Sequence, residues 1–512
     1  MTSLLDDHIA RVWSQSIVPT LHEYIAIPNV SQAFDAAWRE HGHMDAAVAL
    51  VRDWCAAREI AGLQVEVREL PGRSPLIVIE VPAANGGSDD DVVLLYGHLD
   101  KQPEMTGWFD GLGPWEPVRK GDKLYGRGGA DDGYAAYASL TAIRALREAS
   151  GRHSRCVVLI EACEESGSYD LPHYIDALKT RIGTPSLVVC LDSGCGNYDQ
   201  LWCTTSLRGL VGGDIRIDVL TEGVHSGDAS GIVPSTFRIF RQLMERLEDS
   251  ATGRILPKEF HVAIPAQRQA QAKLAGKVLG QSIWQRFPWQ KGGKAMAKDL
   301  QQLVLNRTWR PFVELIGQDG VPHVEKAGNV LRPFSTFKLS LRIPPRADEK
   351  ACLQHLRKVM TQDPPYGAKI KFSTEKASGG WDAPPLAGWL ENAAAAASQA
   401  CFGKPCVYMG EGGTIPFMGM LGAKFPAAQF FITGVLGPQS NAHGPNEFLH
   451  IPMGKRLTAC VARILQSHFD RPRGAPTRAA SGRSKAAAKA AAPRGAKAAG
   501  KVASKSAGRR AR

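Results

Sequence analysis

The chain has 512 residues, 44% hydrophobic and 22% charged, an ordinary globular composition with length for more than one cored domain at about 100–200 residues each. No run of ~18 or more apolar residues occurs, so no membrane-spanning helix is expected. The opening MTSLLDDHIARVW has no basic stretch leading into an apolar core, so no secretory leader and a cytoplasmic location are expected. The net charge of +12 misleads: 13 of the 62 Lys/Arg fall between positions 471 and 512, where there is no Asp or Glu, leaving 49 basic against 50 acidic residues in the body. The ten cysteines form no CxxC pair and read as buried free thiols rather than a disulfide framework.

In chain order, 44–61 is amphipathic at helical spacing, and 63–70 with 76–81 reads as a strand pair. Three short runs rich in Val, Leu and Ile follow, at 92–96, 156–160 and 187–191, with a helical stretch at 132–149 between the first two. That grammar predicts a mostly parallel sheet with helices on both faces. Near Ser206 the pattern changes. Alternating runs at 211–220, 336–343 and 368–375 enclose helical stretches at 234–248 and 348–362, which predicts an inserted α+β open sandwich. Residues 251–323 are expected as an elaboration of it, with Trp284, Trp289 and Trp309 as packing residues. After Trp381 the first pattern resumes, with a helix to about Ala400, a strand at 430–435 and a helix at 455–469. The predicted organisation is therefore a catalytic domain at 1–205 and 383–470, an insertion at 206–382, and a disordered basic tail at 471–512. The tail's charges could attract nucleic acid or an anionic surface non-specifically, but no aromatic residues interleave them to stack on bases.

Chemistry gathers at the ends of the parallel runs. The first ends in Tyr96-Gly97-His98-Leu99-Asp100, the second in Glu161-Ala162-Cys163-Glu164-Glu165-Ser166, and the third reaches Asp192. In an open α/β sheet these carboxyl ends are where ligands bind. Carboxylates collected there repel unless a cation neutralises them, and His with carboxylates suits zinc. A fourth piece, Gly126-Arg127-Gly128-Gly129-Ala130-Asp131-Asp132-Gly133, opens a helix and brings Asp131 or Asp132 to the same mouth. Alone, such an Asp would be read as a helix cap. The fifth piece, Asn441-Ala442-His443-Gly444-Pro445-Asn446-Glu447, returns a His there. A metal site here requires all five to converge.

Together the motifs GHLD, GRGGADDG, EACEESGS, VCLDSG, GVHSGD, GNVLRP, SLRIPP, GEGGTIP and NAHGPNE resemble the dizinc exopeptidase family of carnosinases, cytosolic dipeptidases, aminoacylases and acetylornithine deacetylases. The resemblance spans Tyr96 to Glu447. Many relatives carry Lys after the second Asp of ADD, where this chain has Gly133-Tyr134; that position is not a metal ligand.

The resemblance implies two zinc ions per subunit, with manganese or cobalt as alternatives. His98 and Asp192 would hold one, Glu165 and His443 the other, and Asp131 both, with a cis Asp131–Asp132 peptide. Glu164 would be the general base for a water held between the zincs, and Asp100 would orient His98. The insertion would be a lid and dimerisation domain, so a homodimer is implied, with His225 of one subunit reaching the other's site to stabilise the oxyanion. Asn329 and Arg342 would grip the substrate carboxylate, with Gly412, Gly413 and Thr414 lining the same pocket. The implied function is hydrolysis of the amide bond of dipeptides or short peptides. An N-acyl amino-acid deacylase could use the same site. A non-catalytic, nucleic-acid-associated binding protein is the reading from another class, and it predicts a broken ligand set.

Overall fold

The computed structural model describes residues 2–472. Its centre is a nine-stranded mixed sheet. From one edge, the antiparallel strands Gln64–Arg68 and Leu76–Val81 lead into a parallel core of Arg155–Glu161, Val92–His98, Pro185–Cys190 and Gln429–Ile432. Beyond it Trp202–Leu207 runs antiparallel and carries Val407–Glu411 and Trp381–Asp382. The core strands are continuous apolar runs because both faces are covered; every residue of Val92–His98 is buried. Alternate residues feed different layers. Val93, Leu95, Val158 and Ile160 pack under helices that include His43–Ala56, Ala135–Glu148, Gly388–Phe402 and Ile451–Asp470. Leu94, Tyr96, Val157 and Leu159 pack under Leu171–Ala177 and Pro416–Lys424.

The second sheet is antiparallel, in the order Phe312–Asp319, Phe334–Ile343, Gly209–Asp218, Lys369–Ser378. Helices Thr236–Leu247 and Glu349–Thr361 close one face, with Phe240, Leu243 and Leu356 meeting Ile215, Phe337 and Leu339. Ser235 and Asp348 cap these helices, accepting the N–H of Arg238 at 3.2 Å and of Ala351 at 2.8 Å. The strand Phe312–Asp319 was not anticipated: Val313 is its one buried residue, and a bulge between Leu315 and Gly317 breaks the alternation.

The stretch 251–323 does not simply elaborate the sandwich. Helices Ala266–Leu279 and Leu300–Thr308 place Ala272, Ala275, Val304 and Leu305 in the core of the large sheet, where Trp309 joins them. Trp284 and Trp289 meet edge to face 5.9 Å apart nearer the surface. Nine of the ten free cysteines are buried. Of the expected tail, Arg471 is held by Asp91 at 2.6 Å, and 473–512 lie outside the described residues. Among the described residues no helix is long and apolar enough to cross a membrane.

Candidate metal centre

Register brings the site together. His98 pairs with Glu161 and Tyr96 with Cys190, so the loops that follow leave one edge of the sheet side by side. Gly97 allows the fourth loop to join them. A Cβ there would clash with Ala135 and lie 2.7 Å from Asp132 Oδ2, so only glycine lets the Ala135–Glu148 helix start against this strand. The loop before that helix carries Asp131 and Asp132, joined by a cis peptide bond. Asp132 is fully buried, and its Oδ2 accepts the His98 N–H at 3.3 Å.

The Asp131 carboxylate sits between two imidazoles. Its Oδ1 is 3.4 Å from His98 Nε2 and its Oδ2 is 3.0 Å from His443 Nε2. Asp192 Oδ1 lies 3.9 Å from His98 Nε2, and Glu165 Oε2 lies 3.3 Å from His443 Nε2. Ligand atoms of His98, Asp131 and Glu165 fall within 4.8 Å of one another, as do those of His98, Glu164 and Asp192. The second grouping draws Glu164, expected as the base, within ligand range of the cluster.

The donors fit a divalent metal pair. His98 Nδ1 donates to the Asp100 carbonyl at 3.1 Å, which leaves Nε2 as the lone-pair nitrogen. That Nε2 is buried, lies among carboxylates and has no hydrogen-bond partner, the arrangement of a metal ligand. Two imidazoles and four carboxylates suit zinc, manganese or cobalt.

The electrostatics agree. Burial and the Asp192 charge push Glu164 well above the usual carboxylate range, and burial with Asp131 lifts Glu165 to about 8. Burial raises Asp192 to about 6 against the pull of His98. Against burial, Asp100 and Asp131 raise His98, and Glu165 and Asp131 raise His443. Asp131 is held low, despite burial, by His443 and His98. Cations would relieve the repulsion among these carboxylates.

A second layer fixes the loops, and most of it was not singled out from sequence. Asp100 was expected to orient His98. Its carboxylate lies 3.5 Å from His98 Nδ1 but makes its hydrogen bonds to the backbone of Glu164 and Glu165. Gln102 Nε2 donates to Glu165 Oε2 at 2.6 Å. Arg127 and Glu447, both buried, pair at 2.5 Å. Glu447 also accepts the Gly128 N–H at 2.9 Å, and Arg127 donates to the His443 carbonyl at 3.2 Å, so the pair ties the Asp131 loop to the His443 loop. Opposite charges inside two motifs, GRGGADDG and NAHGPNE, were the available signal.

A cavity of about 430 Å³ opens on Asp131, Glu164, Asp192 and His443, and Gly413 and Thr414 line it. Arg342 is not among the lining residues; its Nη1 donates to Oγ1 of the lining Thr414 at 3.4 Å. Gly412 packs behind, where a Cβ would meet the Arg307 carbonyl at 3.1 Å. His225 and Asn329 are elsewhere. His225 is exposed on the ribbon formed by Val224–His225 and Val330–Leu331, Asn329 is exposed just before its second strand, and neither lines the cavity. His225 Nδ1 accepts the Gly227 N–H at 3.1 Å, and the Asn329 carbonyl accepts the Ser226 N–H at 2.9 Å.

The chain resembles a cysteinylglycine-S-conjugate dipeptidase of Corynebacterium striatum, 26% identical over 361 residues, which cover 70% of this chain and 77% of that protein. Its fold matches the crystal structure of human carnosine dipeptidase 1 with a TM-score of 0.71 at 20% identity, over 92% of this chain and 99% of that one. It matches a metallo-carboxypeptidase from Sulfolobus solfataricus equally, with a TM-score of 0.71 at 18% identity over 89% and 100% of the two chains. The sequence profile of Peptidase family M20/M25/M40 matches residues 94–467, a span that holds all five converging loops, and the chain belongs to that family.

Proposed function

We propose that the chain is a two-metal dipeptidase acting on short peptides with a free C-terminus. The observation that carries this reading is the meeting of two His–carboxylate groupings through Asp131 at the mouth of a cavity that Glu164 also lines. The dipeptidase names of the relatives point the same way. His98 and Asp192 would hold one cation, Glu165 and His443 the other, and Asp131 both. The bound pair, zinc first among the candidates, would supply Lewis-acid polarisation of the scissile carbonyl and acidify the attacking water.

The chain's own residues do the rest. Glu164 takes the proton of the attacking water and passes it to the leaving amine. Asp100 holds the Glu164 backbone so that its carboxylate faces the cavity. Arg342, which reaches the lining Thr414, receives the substrate's α-carboxylate with its planar pair of donors. His225 and Asn329 serve the site of a second copy of the chain. Their exposure side by side at that ribbon supports the arrangement, with His225 donating to the oxyanion.

The test is turnover of a dipeptide panel and a panel of N-acetyl amino acids by metal-loaded protein, beside Glu164→Gln. Dipeptide cleavage that falls by about 10²-fold or more in the variant, and that chelation abolishes, supports the reading. Cleavage of the acetylated compounds alone moves it to a deacylase. Failure to bind metal overturns it.

A further inference from the structure

One part of the cavity lining holds more positive charge than the chain neutralises. Arg286, Phe287 and Arg307 reach it from the stretch 281–309, and Glu411 from the end of the Val407–Glu411 strand. Arg307 Nη2 pairs with Glu411 Oε2 at 2.5 Å, which engages the one carboxylate of this group. Arg208 lies behind and spends its donors on carbonyls, those of Gly412 and Asn306 at 3.2 Å and of Arg310 at 3.3 Å. Burial, with Arg342 and Arg307, lowers its pKa to about 9.

Arg286 is the cation left over. Its guanidinium rests 5.0 Å from the Phe287 ring. Among the described residues it makes no side-chain hydrogen bond and no ion pair, although it is half-buried and lines the cavity. Burial and the neighbouring Arg307 lower its pKa to about 10. Placing Arg208, Arg286 and Arg307 around the single carboxylate of Glu411 costs free energy that an incoming anion offsets. A guanidinium matches a carboxylate with two parallel hydrogen bonds and is less strongly hydrated than an ammonium.

A peptide with a free C-terminus brings one carboxylate, which the proposed function gives to Arg342. The surplus positive charge beside Glu411 has room for another. Leu207, Phe287 and Ile415, which also line the cavity, suit the methylene stem of an acidic side chain. We infer that Arg286, with Arg307 beside it, receives a side-chain carboxylate of the substrate, so that the enzyme selects dipeptides carrying Asp or Glu over their neutral isosteres. The inference rests on the dipeptidase reading for the class of ligand, but binding tests it separately from turnover.

The probes are Glu-Ala against Gln-Ala and Ala-Glu against Ala-Gln. Both members of each pair keep the α-carboxylate, so their ratio reports the side chain alone. Each is titrated calorimetrically into zinc-supplemented Glu164→Gln protein, then into the same protein carrying Arg286→Gln or Arg286→Lys. The expected result is an acidic member bound at least about tenfold more tightly in one pair, as an ion pair in a partly desolvated pocket gives. Arg286→Gln brings that ratio to about one, and Arg286→Lys keeps part of it. Equal affinities within both pairs, no binding of any of the four, or a ratio that Arg286→Gln leaves in place overturns the inference. Failure of the wild type to hydrolyse any of them while the ratio holds leaves the anion site standing and removes the dipeptidase reading; hydrolysis of all four with no preference does the reverse.

Discussion

Asp100 grips the backbone of Glu164: its Oδ1 accepts the Glu164 N–H at 3.0 Å, and its Oδ2 accepts the next N–H, of Glu165, at 2.9 Å. One fully buried carboxylate thus sets the turn that presents both the proposed base and a proposed ligand, while its own carbonyl fixes the His98 ring. Asn can accept with only one side-chain atom, and its NH2 group would face the other N–H. Asp100→Asn is expected to lower metal affinity and turnover by about 10–100-fold, the usual cost of losing an outer-shell partner. Metal titration and kcat on the same preparation check this; a variant with native metal affinity and native kcat would show that the turn holds itself.

The Arg127–Glu447 pair is expected to respond asymmetrically. Burial lifts Glu447 to about 7 even with Arg127 beside it. With Arg127 replaced by Met, Glu447 can take up a proton and become neutral. With Glu447 replaced by Leu, Arg127 keeps its charge and has lost its carboxylate. Glu447→Leu should therefore cost about 3–5 kcal/mol, and Arg127→Met clearly less. Urea unfolding of the metal-free variants at pH 7 measures both, and equal costs would refute the asymmetry.

The ligand-bearing loops were legible because buried parallel strands write themselves as unbroken apolar runs, and an acid or His at the end of such a run is conspicuous. Val92–His98 and Arg155–Glu161 are both of this kind. Packing partners were not legible. The helix Ala266–Leu279 buries mainly small residues, and nothing in its pattern says that Ala272 and Ala275 face the large sheet rather than the sandwich. The strand Phe312–Asp319 hid for a related reason: it is an edge strand with Leu315 and Ile316 exposed, so no alternation marks it. Arg286, Arg307 and Glu411 meet only through that packing. His225 and Asn329, far apart in sequence, come together at a ribbon of two paired residues on each side, too short a signal to read from the chain.

His153 gives a pH dependence away from the site. The ring is fully buried, its Nδ1 donates to the Ser154 carbonyl at 2.8 Å, and its Nε2 accepts from Arg147 Nε at 2.9 Å. A proton on Nε2 would replace that bond with repulsion. Burial, with Arg147 acting in the same direction, lowers the pKa from 6.5 to about 4. Between those values the unfolded chain binds more protons than the folded one, so this contribution is fully present above pH 6.5 and is lost as the pH falls towards 4. The loss from pH 7 to pH 5 should be about 2 kcal/mol. His153→Gln, which can still accept from Arg147, should flatten the slope by that amount in urea midpoints at the two pH values. An unchanged slope would mean that the folded ring protonates freely.

Metal removal should destabilise as well as inactivate. Asp131, Glu164, Glu165 and Asp192 are held together by register and by the buried Arg127–Glu447 and Asp100 contacts, whatever their mutual repulsion. A cation bound only by the folded chain stabilises it by mass action, about 4 kcal/mol at a free concentration a thousand times Kd. Chelated protein should therefore unfold at lower temperature, and adding zinc should raise the midpoint in a concentration-dependent way. Asp131→Ala removes the carboxylate that both histidines share, so it should abolish most of that rise, measured from the variant's own metal-free midpoint. A zinc-induced rise of the same size in Asp131→Ala would place the metal elsewhere.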